Sequence, residues 1–146
     1  MADARTRVLV LLLAYFVVRL PWLFLVPMKE APDEYAHFWI LRFLTEHLRL
    51  PEAAEVLAGG PSAVYGSYPP FGYIPHVLTS LIGAKLAPAV DISLCSRFGS
   101  LLVGATLIPC ADYFGQLLFS RSRLFALALP LLIVFHPQLV FVNAYA

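Results

Sequence analysis

Three long apolar runs dominate this chain and restrict the solvent in which it can fold. The runs cover residues 8–27, 97–119 and 124–143, and each is close to the roughly 20 residues that a helix needs to cross a bilayer. Hydrophobic residues make up 60% of the 146 residues and charged residues only 13%, which leaves too few polar side chains to cover a soluble core. The sequence therefore predicts an all-α membrane protein in contact with the lipid bilayer.

Basic residues at the ends of the runs predict the topology. Arg5 and Arg7 precede the first run, and Arg121 and Arg123 form a short turn between the second and third. Because short basic segments are retained in the cytoplasm, the first run leads out and the second leads back. We expect three transmembrane helices in a prokaryotic cytoplasmic membrane, with a cytoplasmic N-terminus and a large external loop over residues 28–96.

The external loop contains two predicted helices, over residues 33–50 and 71–86. The helical wheel puts Glu34 and Thr45 on the polar face of the first, which is expected to lie flat on the membrane. The second is apolar but short, and it contains Pro75, His76 and Lys85, so we interpret it as interfacial or re-entrant. The alternative is a fourth transmembrane helix.

Two acids and a histidine follow the first run. Asp33 and Glu34 are adjacent, and His37 lies one helical turn after Asp33, so the three side chains can converge on a divalent cation. Acids in a first turn also complement the helix dipole without binding anything. The spacing alone leaves both interpretations open.

Other charged residues stand in unusual places. Arg19 lies inside the first run, where it is expected to bind a lipid phosphate or to pair with Asp112 or helix carbonyls. Three basic residues fall on the external side and are candidates for binding an anionic headgroup: Lys29, Lys85 and Arg97. The alternative explanation is that these long side chains only snorkel to the membrane interface.

Three further features restrict the structure and its partners. His136-Pro137 should interrupt the third run. Cys95 and Cys110, both in apolar stretches, are not expected to form a disulfide bond. A net charge of +1 and scattered basic residues argue against a nucleic-acid partner.

Three short motifs follow the first run in order. They are Pro32-Asp33-Glu34 with His37, then Tyr68-Pro69-Pro70-Phe71-Gly72-Tyr73, then Ser96-Arg97-Phe98. This order resembles the start of a GT-C glycosyltransferase, a polytopic membrane enzyme that uses polyprenyl-phosphate sugars. Protein O-mannosyltransferases and aminoarabinose transferases are among these enzymes. The resemblance covers nearly the whole chain.

The resemblance implies a function for each motif. Asp33 would be the general base or a ligand of Mg²⁺ or Mn²⁺, with Glu34 beside it in the catalytic site and His37 as a metal or substrate contact. The lipid phosphate would be bound by basic residues, with the substrate loop next to it. The phosphate candidates are Lys29, Lys85, Arg97 and Arg19, and the loop residues are Tyr68, Pro69, Pro70 and Tyr73.

Two departures from the family pattern limit what the resemblance implies. Some relatives have a basic residue immediately before the Pro-Pro pair, where this chain has Tyr68. Family members also have many more transmembrane helices. We therefore expect residues 1–146 to be an N-terminal portion that is inactive alone. The competing hypotheses are a non-catalytic membrane scaffold or accessory subunit, and a transporter fragment with Arg19 and Asp112 along a polar path.

Overall fold

The computed structural model describes residues 3–28 and 34–142, and every regular element in these residues is a helix. The all-α prediction is thus confirmed for this part of the chain. Lys29, Asp33 and Asn143 lie outside the described residues. Eight α-helices and two 3₁₀ helices follow in this order: α1 Ala4–Arg19, α2 Trp22–Leu25, α3 Glu34–His47, α4 Ala53–Ala58, 3₁₀ helices Gly60–Ser67 and Pro70–Tyr73, α5 Ile74–Leu86, α6 Ile92–Leu118, α7 Arg123–Phe135 and α8 Pro137–Val142.

Two segments are long and apolar enough to cross a membrane. The first, Ala4–Leu25, contains α1 and α2, which are separated by a turn at Leu20 and Pro21. The second is α6, which begins five residues before the predicted run because Asp91 caps it. The Asp91 carboxylate accepts a 2.7 Å hydrogen bond from the Ser93 amide.

The third apolar run is not one helix. Helix α7 has 13 residues and ends at Phe135, and α8 begins at Pro137. The predicted interruption at His136-Pro137 is therefore observed. Proline has no N–H to continue the hydrogen-bond ladder, and its ring clashes with the preceding turn.

The chain divides into two compact units. Unit 1 comprises residues 3–22 and 101–142, where α1 packs on α7 and the Tyr15 hydroxyl donates a 2.8 Å hydrogen bond to the Leu101 carbonyl. Helices α6 and α7 approach closely at Gly115, where a Cβ atom would meet the carbonyl oxygen of Ala126. A side chain at position 115 would force these helices apart.

Unit 2 comprises residues 23–28 and 34–100, and its core joins α3 to the residues around the Tyr73 motif. Ile40, Leu44 and Tyr73 form the buried cluster. Helix α3 ends where Leu48 adopts a left-handed conformation with φ of 53°. Helix α5 packs on the first turns of α6 at Gly99, where a Cβ atom would lie 2.7 Å from the His76 backbone nitrogen.

Both cysteines are free thiols, as expected from their separation along the chain. Cys95 is buried and Cys110 is exposed on α6. A Cβ atom at Gly83 of α5 would overlap the Cys95 sulfur, so this thiol fills the space between two helices. Its role is packing.

Candidate functional site

A buried ion pair joins the first and third motifs in unit 2. Arg97 donates from Nε to Glu34 Oε1 at 2.8 Å and from Nη2 to Glu34 Oε2 at 3.0 Å. Its remaining N–H groups donate to carbonyls in α2 and just after it: Nη1 to Leu23 at 2.9 Å and Val26 at 2.7 Å, and Nη2 to Pro27 at 3.0 Å. All five guanidinium donors are therefore used.

This pair fixes two helix ends to one another. The guanidinium of Arg97, on the second turn of α6, holds the first residue of α3 and also satisfies the carbonyls at the end of the first apolar segment. Its side chain is completely buried, and that of Glu34 is 4% exposed. The helical wheel assigned Glu34 and Thr45 to the polar face, but the structure buries both.

An aromatic cluster joins the first and second motifs. A 2.7 Å hydrogen bond connects His37 Nδ1 and the Tyr73 hydroxyl. The His37 ring also stacks on Tyr65, with 4.3 Å between centroids, and the Tyr65 ring lies 4.7 Å from that of Tyr68. Tyr68 is half exposed, whereas Tyr73 is buried. The cluster thus presents an aromatic surface on one side and a buried phenol on the other.

Burial shifts the pKa of two groups, Tyr73 in this cluster and His76 nearby. It raises the pKa of Tyr73 to about 12, with smaller contributions from Tyr65 and Tyr68, so the phenol keeps its proton and can donate to His37. Burial also lowers the pKa of His76, although its hydrogen bond to the Ser96 carbonyl acts in the opposite direction. His76 Nδ1 lies 2.9 Å from that oxygen.

The structure does not bring every predicted site residue into this region of unit 2. Lys85 is exposed in the last turn of α5, which places it roughly 16 Å along the helix from Ile74 at about 1.5 Å per residue. Pro69 is exposed, and Pro70 begins the 3₁₀ helix that leads to Tyr73. Lys29 and Asp33 lie outside the described residues.

Arg19 is buried in unit 1 among backbone acceptors. Its terminal nitrogens donate to the carbonyls of Ile133 and Leu139, and its guanidinium carbon lies 4.7 Å from the centre of the Tyr15 ring. Of the structural partners considered for Arg19, helix carbonyls are therefore the ones observed. These contacts give no support to a transporter path.

Asp112 has a different partner in unit 1. Its carboxylate accepts hydrogen bonds of 2.7 and 2.8 Å from Nε and Nη2 of Arg7. This bidentate pair joins two helices, because Arg7 is on α1 and Asp112 is on α6.

A divalent cation stays a prediction. Within residues 3–28 and 34–142, no three histidine, cysteine, aspartate or glutamate side chains come together as a ligand set. Both oxygens of Glu34 accept hydrogen bonds from Arg97. A three-residue ligand set at the first motif would have to include Glu30 or Asp33, which lie outside the described residues.

Tyr65 is the member of the cluster that the sequence analysis missed. It is 28 residues after His37 and eight before Tyr73, so no helical period connects it to either. Its aromatic neighbour Tyr68 was the available signal, because two tyrosines three residues apart lie on the same side of a 3₁₀ helix.

The described residues define an all-helical protein with two segments long and apolar enough to cross a membrane. No protein-family model, curated protein or solved structure matches this chain.

Proposed function

We propose that the chain is an integral membrane protein that crosses a prokaryotic cytoplasmic membrane three times, with its N-terminus inside. The crossings are Ala4–Leu25, α6, and α7 together with α8. Support for the third comes from Arg19: an interrupted helix is tolerated at membrane depth when protein groups satisfy its carbonyls. Helices α3 and α5 lie at the external surface, since both are shorter than a crossing requires.

Cysteine labelling tests this topology. In a chain whose two native cysteines are replaced by alanine, Ser122→Cys should react with a membrane-impermeant maleimide only after the cells are permeabilised. Val64→Cys, at a 55% exposed position of the loop, should react in intact cells and serves as the matched control. Labelling of Ser122→Cys from outside would overturn the three-crossing arrangement.

We further propose that the external region belongs to a GT-C-type glycosyltransferase that transfers a sugar from a polyprenyl-phosphate donor. The observation that supports this proposal is that the three motifs on which the resemblance rests contact one another. Arg97 of the third binds Glu34 of the first, and Tyr73 of the second binds His37 of the first. Contacts between segments 63 and 36 residues apart are what a composite site requires.

The contacts of Glu34 support a different role for each of the two acids. Glu34 is engaged by Arg97, so we assign it a positioning role and assign the general base to Asp33, the residue before it. The acceptor hydroxyl oxygen forms a bond to the anomeric carbon while its proton passes to Asp33. The bond from that carbon to the phosphate oxygen breaks, and its electron pair leaves with the polyprenyl phosphate. Of the basic residues predicted to bind the phosphate, Lys29 is the candidate kept here, because Lys85 lies at the far end of α5.

Substitution of Asp33 tests the assignment. The full-length gene that contains this coding sequence is expressed with Asp33→Asn or Glu46→Gln, and membranes from these cells receive polyprenyl-phosphate hexose and pentose donors. Asp33→Asn should abolish sugar transfer at unchanged protein level. Glu46→Gln, which alters an exposed acid paired with Arg42, should not. Unimpaired transfer by a well-expressed Asp33→Asn protein would refute the catalytic role.

A membrane scaffold without chemistry is the second candidate, and the Glu34–Arg97 pair is the observation that favours it. A buried pair that uses all five guanidinium donors of Arg97 gives Glu34 a structural role as an anchor between helices. This candidate predicts no transfer by the unaltered protein with any donor. It also predicts that Asp33→Asn leaves every other property unchanged.

A further inference from the structure

A groove of about 460 Å³ opens on unit 1 beside α1 and α7. This volume lies within the range of small-ligand sites. The two helices run in the same direction, because Arg7 and Arg123 at their starts share the groove, while Arg19 near the end of α1 reaches Ile133 near the end of α7. Their amino-terminal ends therefore meet at one end of the groove.

Polar and apolar lining residues are separated along the groove. Arg7, Arg123 and Gln116 supply the polar groups, and the first two belong to the opening turns of α1 and α7. Leu127 and Leu131 follow Arg123 at intervals of four residues on one side of α7. This arrangement suits a ligand with a polar head and an apolar chain.

The polar end carries a net positive charge. Asp112 neutralises Arg7 through Nε and Nη2, and these two bonds do not use Nη1 of Arg7. Arg123 adds a positive charge, Arg121 lies two residues before it, and the helix dipoles add partial positive charge at the same end. Charge complementarity therefore selects an anion.

We propose that this groove binds one anionic glycerophospholipid of the cytoplasmic leaflet. Its phosphate lies between Arg7 and Arg123, and one acyl chain lies along Leu127 and Leu131. Basic sites between transmembrane helices on the cytoplasmic side bind anionic headgroups in this way. The site rests on the proposed membrane insertion and orientation, and it is independent of sugar transfer.

Lipid retention tests the site. The full chain, purified in a mild detergent, is titrated with phosphatidylglycerol or with phosphatidylcholine of the same acyl chains, and bound lipid is counted by native mass spectrometry. One phosphatidylglycerol should be retained in preference to phosphatidylcholine. Excess inorganic phosphate should not displace it, because the acyl chain contributes to binding. Equal retention of both lipids, or displacement by phosphate, would overturn the proposal.

Two variants with matched controls locate the site. Arg123→Gln should weaken retention about fivefold, equivalent to about 1 kcal/mol at 1.4 kcal/mol per tenfold change. Arg121→Gln removes the same charge two residues away and outside the groove, so it should weaken retention less than Arg123→Gln does. Leu127→Trp should fill the groove and weaken retention, whereas Leu124→Trp, at a 78% exposed position outside it, should not.

Each outcome supports or overturns the assignment. Equal effects of the two arginine substitutions would indicate general surface charge and refute the groove. If Arg123→Gln lowers the yield of folded protein, the two tryptophan variants decide alone. A carbonate wash of the membranes before purification separates the two proposals: a chain removed by carbonate refutes insertion, while an inserted chain without lipid preference refutes only the groove.

Discussion

Substitution of Arg97 by methionine is the sharpest test of the buried pair in unit 2. The variant removes both hydrogen bonds that the carboxylate of Glu34, which is 4% exposed, accepts from Arg97, and it removes the donors to three backbone carbonyls. Removal of one partner of a buried pair costs about 3–5 kcal/mol, and each buried carbonyl without a donor adds about 1–3 kcal/mol. Because folded domains are stable by only about 5–15 kcal/mol, the variant should be close to unfolding.

A second substitution separates the two contributions. Glu34→Leu in the Arg97→Met background removes the buried carboxylate but leaves the three backbone carbonyls without the donors of Arg97. Apolar replacement of a whole buried pair is often neutral, so the double variant should be about 3–5 kcal/mol more stable than Arg97→Met alone. Near-UV circular dichroism of the detergent-solubilised protein would follow thermal unfolding. At about 2–4 °C per kcal/mol, the recovery in Tm is roughly 6–20 °C.

The chain contains a matched control for geometry without burial. Arg49 binds Glu55 through two hydrogen bonds of 2.8 and 2.6 Å, but these side chains are 45% and 32% exposed. Water and salt screen such a pair, so Arg49→Met should leave Tm nearly unchanged. The reasoning fails if Arg49→Met and Arg97→Met lower Tm equally, or if Glu34→Leu gives no recovery.

Two further predictions concern helix contacts and pH. Gly115→Ala should lower stability by about 1–3 kcal/mol, because its Cβ meets the Ala126 carbonyl, whereas Gly72→Ala, which has open space, should not; thermal unfolding measures both. Burial holds the pKa of His76 below its ordinary 6.5, so below pH 6.5 the unfolded chain binds a proton that the folded chain excludes. Tm should therefore fall as the pH drops below 6.5, and the fall should be shallower in His76→Gln; an unchanged slope would contradict the assignment.

Local sequence signals predicted most of the helices but not the pairing of their charges. The wheel put Glu34 on a polar face because periodicity weighs neighbours within one helix. Its partner Arg97 is 63 residues away, and a partner at that distance converts an apparent surface acid into a buried one. The same limit applies to Asp112, which binds Arg7 across 105 residues.

Proline positions are a stronger signal for contacts between helices, because each proline in a helix leaves one carbonyl without its ordinary donor. Pro130 has no N–H for the carbonyl of Ala126, four residues earlier. In the structure that oxygen faces Gly115 of α6, where a Cβ atom would overlap it. The glycine on α6 thus leaves room for a carbonyl that the proline of α7 deprives of its helical donor.

Pro137 has the same effect on a carbonyl further along the chain. It leaves the carbonyl of Ile133 without a donor, and Arg19 donates to that oxygen. Positions 126 and 133 are seven residues apart and therefore on one side of the helix, so both carbonyls that lack a helical donor face packed neighbours. An arginine inside an apolar segment is costly in isolation. In this chain its cost is offset because the carbonyls of Ile133 and Leu139, on either side of the interruption at Pro137, accept its hydrogen bonds.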